Sequence, residues 1–194
     1  MFGMLFKQKT NKTQSQHKVV NDLYVGALTH TRMADFYESF GVPDSFDGRF
    51  DLLLLHIFLI LHPLQGQENY DDLSQALFDE TFRNMDQTLR EIGIGDVGIP
   101  KHMRRMMKAF NGRMHAYQMA IAPESLQGHD IEGLVPTTLD QALRRNLYGT
   151  ISQDEGFDNA HLEKMMAFIH SNLGHKTDED IQALLNGHVK FVMV

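Results

Sequence analysis

Cysteine and tryptophan are both absent, and the 194 residues include only five prolines. Without cysteine there is no disulfide framework, no thiolate nucleophile, no cysteine-ligated zinc and no iron–sulfur cluster of the usual kind. A cytosolic-type compartment is the simplest reading of that composition. A membrane-spanning run is missing as well. The strongest apolar stretch, Leu52 to Leu61, has nine apolar residues in ten with His56 among them. That is half of the roughly 20 a span requires, so it reads as a buried core helix. Period-two alternation, the mark of a half-buried strand, is nearly absent, while apolar residues recur at three and four. Basic charge is the scarcer sign, 18 side chains against 25 acidic ones for a net charge of −7. This disfavours attraction of DNA or RNA by the molecule as a whole, but leaves local basic patches open.

What is present reads as an all-α protein: a single compact multi-helix domain with a short helical C-terminal appendage. The opening places Met1, Phe2, Met4, Leu5 and Phe6 before Lys7, Lys9, Lys12 and Lys18. This order is the reverse of a secretory signal, and the first arginine, Arg32, comes too late for a transit peptide. Residues 1–18 therefore read as a flexible basic tail, with a weak amphipathic contact to an anionic membrane surface as the sharper alternative. A first helix is expected from Val19 to Phe40 with a break near Thr29–Met33, stopped by Gly41-Val42-Pro43-Asp44. The second starts at Phe46 or Asp47 and runs to about His62. The third, Tyr70 to Ile92, carries Phe78, Phe82, Met85, Leu89 and Ile92 on one face. Pro100 opens a fourth helix that reaches about Ile121. After a loop at Gly128–Pro136 come helices from about Thr137 to Tyr148 and from Asp158 to Leu173, the latter burying Leu162, Met165, Met166, Ile169 and Leu173. A short helix begins with the capping box Thr177-x-x-Asp180 and ends at Gly187. The expected division is a tail 1–18, a helical domain 19–149 and an extension 150–194.

Candidate chemistry is sparse. Gly93-x-Gly95-x-x-Gly98 spells the dinucleotide fingerprint, but a helix ending in Leu89-Arg90-Glu91-Ile92 precedes it where a strand is required, so no nucleotide cofactor is expected. Eleven histidines form neither HExxH nor paired Glu-x-x-His motifs, so no metal site is expected and they read as surface or satisfied core residues. No nucleophile elbow or phosphate-binding loop occurs, and no catalytic residue is assigned. The helix after Pro100 is the most informative segment. At about 100° per residue, Met103, Met107, Phe110, Met114, Tyr117 and Ile121 fall on one side and Lys101, Arg104, Arg105 and Lys108 on the other. Arg113 and His115 extend this patch, and no acid occurs between Asp96 and Glu124. It reads either as an ordinary solvated face or as a contact surface for an anionic partner, such as RNA phosphate, an acidic protein or a lipid surface.

A specific resemblance rests on the blocks Phe36-Tyr37 and Gly41-Val42-Pro43-Asp44-Ser45-Phe46-Asp47-Gly48-Arg49-Phe50-Asp51. The leucine run to His56 follows. Next in order come Ala76-Leu77-Phe78-Asp79, Phe82, Met85-Asp86, Leu89-Arg90-Glu91 and Gly93-Ile94-Gly95-Asp96, then Lys101, Phe110, Gly112-Arg113 and Tyr117, and finally Leu143 with Arg145-Asn146-Leu147-Tyr148. Together, over roughly residues 19–149, they resemble the ubiquinol-cytochrome c chaperone family. Asp44, Asp47, Gly48, Arg49, Asp51, Arg145, Asn146 and Tyr148 are the residues that carry the likeness. The resemblance implies a non-enzymatic assembly chaperone for the cytochrome b subunit of ubiquinol:cytochrome c oxidoreductase, without a cofactor of its own. It implies contact with the newly made chain, the ribosome near its tunnel exit, a small partner assembly factor and, transiently, the inner membrane. The lack of a long transit peptide is similar to a bacterial, cytoplasmic member. Lys101, Arg104, Arg105, Lys108 and Arg113 are the expected partner-binding residues. Asp47 is expected to cap the second helix, and Arg49 to pair with a nearby acid. Because the client would be a hydrophobic chain, an apolar or methionine-rich groove is expected. A binder of RNA or ribosomes with no client is the alternative, and a metal- or haem-dependent enzyme is a third.

Overall fold

The fold is given by a computed structural model that describes residues 2–122, 137–149, 151, 157–174 and 176–194, with side chains from Ser15 onward. The expected loop at Gly128–Pro136 lies outside them. Among the described residues there are eight α-helices and no strand. They are α1 (Phe2–His30), α2 (Asp35–Glu38), α3 (Phe46–Leu61), α4 (Tyr70–Glu91), α5 (Ile99–Ile121), α6 (Leu139–Asn146), α7 (Asn159–Leu173) and α8 (Asp178–Leu185). The helix expected from Val19 starts at Phe2. The break expected near Thr29–Met33 separates α1 from α2, and α3 is followed by a single 3-10 turn, His62–Leu64, that accommodates Pro63.

The helix starts follow capping chemistry. Ser45, extended at φ −129°, accepts the Gly48 amide and caps α3. This displaces the expectation for Asp47, which sits inside the first turn, where its charge still complements the exposed amides. Thr138 with Gln141, and Thr177 with Asp180, close reciprocal capping boxes on α6 and α8. Asp158 caps α7 by accepting the Ala160 amide. Gly41 reaches φ +63° beneath the His161 ring, a conformation and a space that exclude a side chain.

Helix α3 is buried from Phe50 to Leu61 and, from Leu52 onward, is apolar all round but for His56. A helix without a polar face has to be wrapped. Leu53, Leu54, Ile57 and Ile60 pack with α1, α4 and α5, in a cluster that includes Leu23, Leu77, Leu89 and Met106. Leu52, Leu55, Phe58 and Leu59 pack with α2, α6 and α7, around Phe36, Leu143, Met165 and Phe168. Helix α7 is thus part of the core. In α4 the buried stripe is Leu73, Leu77, Phe82, Met85 and Leu89; Ile92, expected inside, lies beyond the helix end and is 57% exposed.

A pair of histidines interrupts the apolar packing. His56 is fully buried and its Nδ1 donates to the Leu52 carbonyl at 2.8 Å. Its Nε2 therefore accepts, and His30 Nδ1 donates to it at 2.9 Å. Burial pushes His56 down to about 3 and also lowers His30, so both rings stay neutral. Phe36, Phe168 and Phe191 surround the two imidazoles.

Candidate functional site

Helices α3, α5 and α6 enclose a cleft of about 370 Å³. From α3 come Asp47, Gly48, Phe50 and Asp51, from α5 Arg105, Met106, Ala109 and Arg113, and from the end of α6 Arg145, Asn146, Leu147 and Gly149. The α3 contribution depends on Gly48. A methyl group there would lie 2.1 Å from the Pro43 carbonyl oxygen, so glycine lets the 43–45 turn close onto the helix and fixes where Asp47 and Asp51 emerge. These two acids are four residues apart and share one face of α3.

The interior of the cleft is an ion pair. Arg113 Nη2 is 2.8 Å from Asp51 Oδ1, with only 21% and 12% of the two side chains exposed. Burial raises the Asp51 carboxyl to about 6, and the arginine's charge only partly opposes that rise. Tyr117 is fully buried nearby; burial raises its phenol, and the Asp51 charge adds to the effect. The Tyr117 hydroxyl, Arg113 Nε and Asn146 Nδ2 have no hydrogen-bond partner among the described residues, an uncommon concentration of unsatisfied buried groups. The mouth is different. Arg105 Nη2 lies 3.3 Å from Asp47 Oδ1 with both side chains about 60% exposed, and Arg145, at the end of α6, is exposed as well.

The predicted basic face is therefore divided. Lys101, Arg104 and Lys108 point to solvent and form no ion pair with the described residues. Arg105 stands at the cleft lip, and Arg113, expected to extend the outer patch, is turned inward to Asp51. Of the α5 methionines, Met106 is buried, while Met107, expected on the apolar side, is 36% exposed. Met103 and Met114 are half-buried.

Among the residues that carried the resemblance, Asp47, Gly48, Asp51, Arg145 and Asn146 meet in the cleft, and two groups stay outside it. Asp44 pairs with Arg49 at 2.6 Å on the surface, which lowers the carboxyl and raises the guanidinium. The Arg49 guanidinium also lies 5.4 Å from the centre of the Tyr37 ring. Tyr148 points away: its hydroxyl donates to the Phe40 carbonyl at 2.8 Å and ties the end of α6 to α2. The buried Asp51–Arg113 pair was not foreseen. Its one visible signal is an acid opening an otherwise apolar helix on the same face as Asp47.

A second opening, of about 480 Å³, lies between the end of α3, α4 and α5, with Phe58, Tyr70, Phe78, Phe110 and Met114 on its walls. Gln65 and Gln118 are paired through both amides beside it, at 2.9 and 3.2 Å. Among the described residues no three histidine or acidic side chains are grouped to hold a metal ion, and no helix is long and apolar enough to cross a membrane.

Residues 38–191 match the model of a family described as ubiquinol-cytochrome C chaperone. The crystal structure of the Cbp3 homolog from Brucella abortus is similar over 99% of this chain and 97% of that one, with 32% sequence identity and a TM-score of 0.69. No curated protein matches significantly.

Proposed function

Since this chain belongs to the ubiquinol-cytochrome C chaperone family, we propose that it assists assembly of ubiquinol:cytochrome c oxidoreductase by holding newly made cytochrome b, without catalysing a reaction. The match over 38–191, together with the likeness over nearly the whole chain, carries this reading. The client is a hydrophobic polypeptide, and the opening lined by Phe78, Phe110 and Met114 supplies aromatic and adaptable methionine surface of a kind suited to it. The protein works in the cytoplasm and at the inner face of the cytoplasmic membrane, in contact with a small partner assembly factor.

The cationic face of α5 supports a second reading, an RNA- or ribosome-binding regulator without a client. Lys101, Arg104 and Lys108 form no ion pair with described residues, and unneutralised cations in a row attract phosphate. Affinity purification of the tagged chain from respiring native cells, with proteins and RNA identified, separates the two. Cytochrome b is expected with the wild-type chain and reduced with the Arg104→Glu, Arg105→Glu double variant. Ribosomes without cytochrome b would establish the regulatory reading, and recovery of neither would overturn both.

A further inference from the structure

Arg105 belongs both to the cationic face and to the cleft. Around the axis of α5, Lys101, Arg104 and Lys108 lie to one side of it, and Met106, Ala109 and Arg113 to the other. It thus marks the line where an exposed basic face turns over into a concave site. The charge at this line is unbalanced. Inside, Asp51 and Arg113 neutralise each other at 2.8 Å. Apart from that pair, the cleft lining carries two cations, Arg105 and Arg145, and one carboxylate, Asp47. Arg145 touches no acid among the described residues. The Asp47–Arg105 contact is 3.3 Å long with both partners about 60% exposed, a pair that water and competing ions readily open. This positive excess sits on a protein whose net charge is −7.

We propose that the cleft between α3, α5 and α6 is the docking site for an acidic segment of a partner polypeptide. One carboxylate of that segment enters between Arg105 and Arg145, displaces Asp47 from Arg105 and receives charge-assisted hydrogen bonds from the two guanidinium forks. Neighbouring acids of the segment lie along Lys101, Arg104 and Lys108. Nucleic acid is the poorer occupant. Among the described residues the single aromatic lining the cleft, Phe50, is only 6% exposed and offers no face for a base to stack on. The partner's place in oxidoreductase assembly rests on the function proposed above; the acidic chemistry of the site does not.

The test uses the full chain and a fluorescein-labelled peptide of about ten residues alternating glutamate and glycine, with binding read by anisotropy at about 50 and 300 mM salt. A labelled RNA of about ten nucleotides serves as the competing probe. Arg145→Gln is expected to weaken peptide binding about fivefold or more, and Asp47→Asn to tighten it about two- to threefold by freeing Arg105. Arg83→Gln, on the exposed face of α4, leaves it unchanged. A gain of affinity in Asp47→Asn is not a result that misfolding produces. Equal peptide binding by wild type, Arg145→Gln and Asp47→Asn overturns the proposal, and so does RNA binding more tightly than peptide at the same site. Purification of the same tagged variants reads the proposed function independently. Peptide binding that responds as expected in a chain that captures no cytochrome b overturns the chaperone role and leaves the cleft standing. Capture of cytochrome b with no response to either variant overturns the cleft alone.

Discussion

At Asp51, burial outweighs the neighbouring Arg113 guanidinium, so the carboxyl titrates at about 6 in the folded protein against about 3.9 in an unfolded chain. Between those values the folded state keeps a proton that the unfolded state has released. Stability from this group therefore falls as pH rises from about 4 to about 6, by roughly 3 kcal/mol in all. His56 acts in the opposite direction. It is held neutral and pushed down to about 3, so stability is lost as pH falls below about 6.5, where the unfolded ring takes up a proton that the folded one refuses. The two slopes oppose each other between about pH 4 and 6. Asp51→Asn removes one of them, so its unfolding free energy minus that of the wild type climbs by up to about 1.4 kcal/mol per pH unit across that interval. Urea denaturation at several pH values measures this; a flat difference means Asp51 ionises like a surface carboxylate. Gly48→Ala is expected to cost about 2 to 3 kcal/mol in the same assay, because the new methyl meets a backbone carbonyl that cannot rotate away. Stability equal to wild type would show that the 43–45 turn yields freely. The local pairing of Arg49 with a nearby acid was legible in the sequence because Asp44 is five residues away. The Asp51–Arg113 pair was not, since it exists only where α3 and α5 cross, and no spacing rule encodes that crossing.

Among the elements, α6 is the shortest that builds the cleft, and it is held at both ends. Its start is the Thr138–Gln141 capping box. Its end is anchored by Tyr148, whose hydroxyl donates to the Phe40 carbonyl while its ring is fully buried. Tyr148→Phe keeps the ring and deletes the donor, leaving a buried carbonyl unsatisfied at an expected cost of about 1 to 2 kcal/mol. Arg145 and Asn146 lie just before this anchor, so the variant is also expected to speed amide hydrogen exchange in α6 more than in α3. Equal acceleration in both helices would mean that Tyr148 acts on global stability alone. Element existence was legible here from the apolar spacing at α7 and the capping box at α8. Rotation about a helix axis was less so. In α5 both Met106 and Met107 flank the line of Phe110 and Tyr117, and the wheel permitted either to be buried. The positions of α3 and α4 decided for Met106, and Arg113 turns toward Asp51 where the outer face was expected. The start of α1 at Phe2 was missed because polar residues such as Lys9, Asn11 and Gln14 lack an apolar stripe, although nothing in them breaks a helix.

On the scale of the whole molecule, the fold is two apolar clusters built on opposite sides of one buried helix, and its cohesion depends on what joins them. Helix α3 does so along its length. Met114 and Phe191 each pack against both clusters as well, and Phe191 places its ring 4.7 Å from His30 and 4.8 Å from His56. The segment that carries it is fixed by Asn172, which donates to the Val192 carbonyl and accepts the Val192 amide, both at 2.9 Å. Phe191 thus helps keep water from the two histidines whose neutrality the core requires. Phe191→Ala is expected to lower stability at pH 7.5 by about 2 to 3 kcal/mol through lost packing, the lower part of the range for a ring that is not fully buried. A second consequence distinguishes this from ordinary cavity formation. With solvent admitted, the folded-state pKa values of His30 and His56 move back toward that of a free imidazole, so the folded protein accepts protons sooner as pH falls. Below about pH 6.5 the variant therefore loses stability less steeply than the wild type, and its deficit is larger at pH 7.5 than at pH 5. Thermal or urea unfolding of both chains at the two pH values decides it: a deficit independent of pH would reduce Phe191 to a packing residue and leave the histidine pair sealed by Phe36 and Phe168 alone.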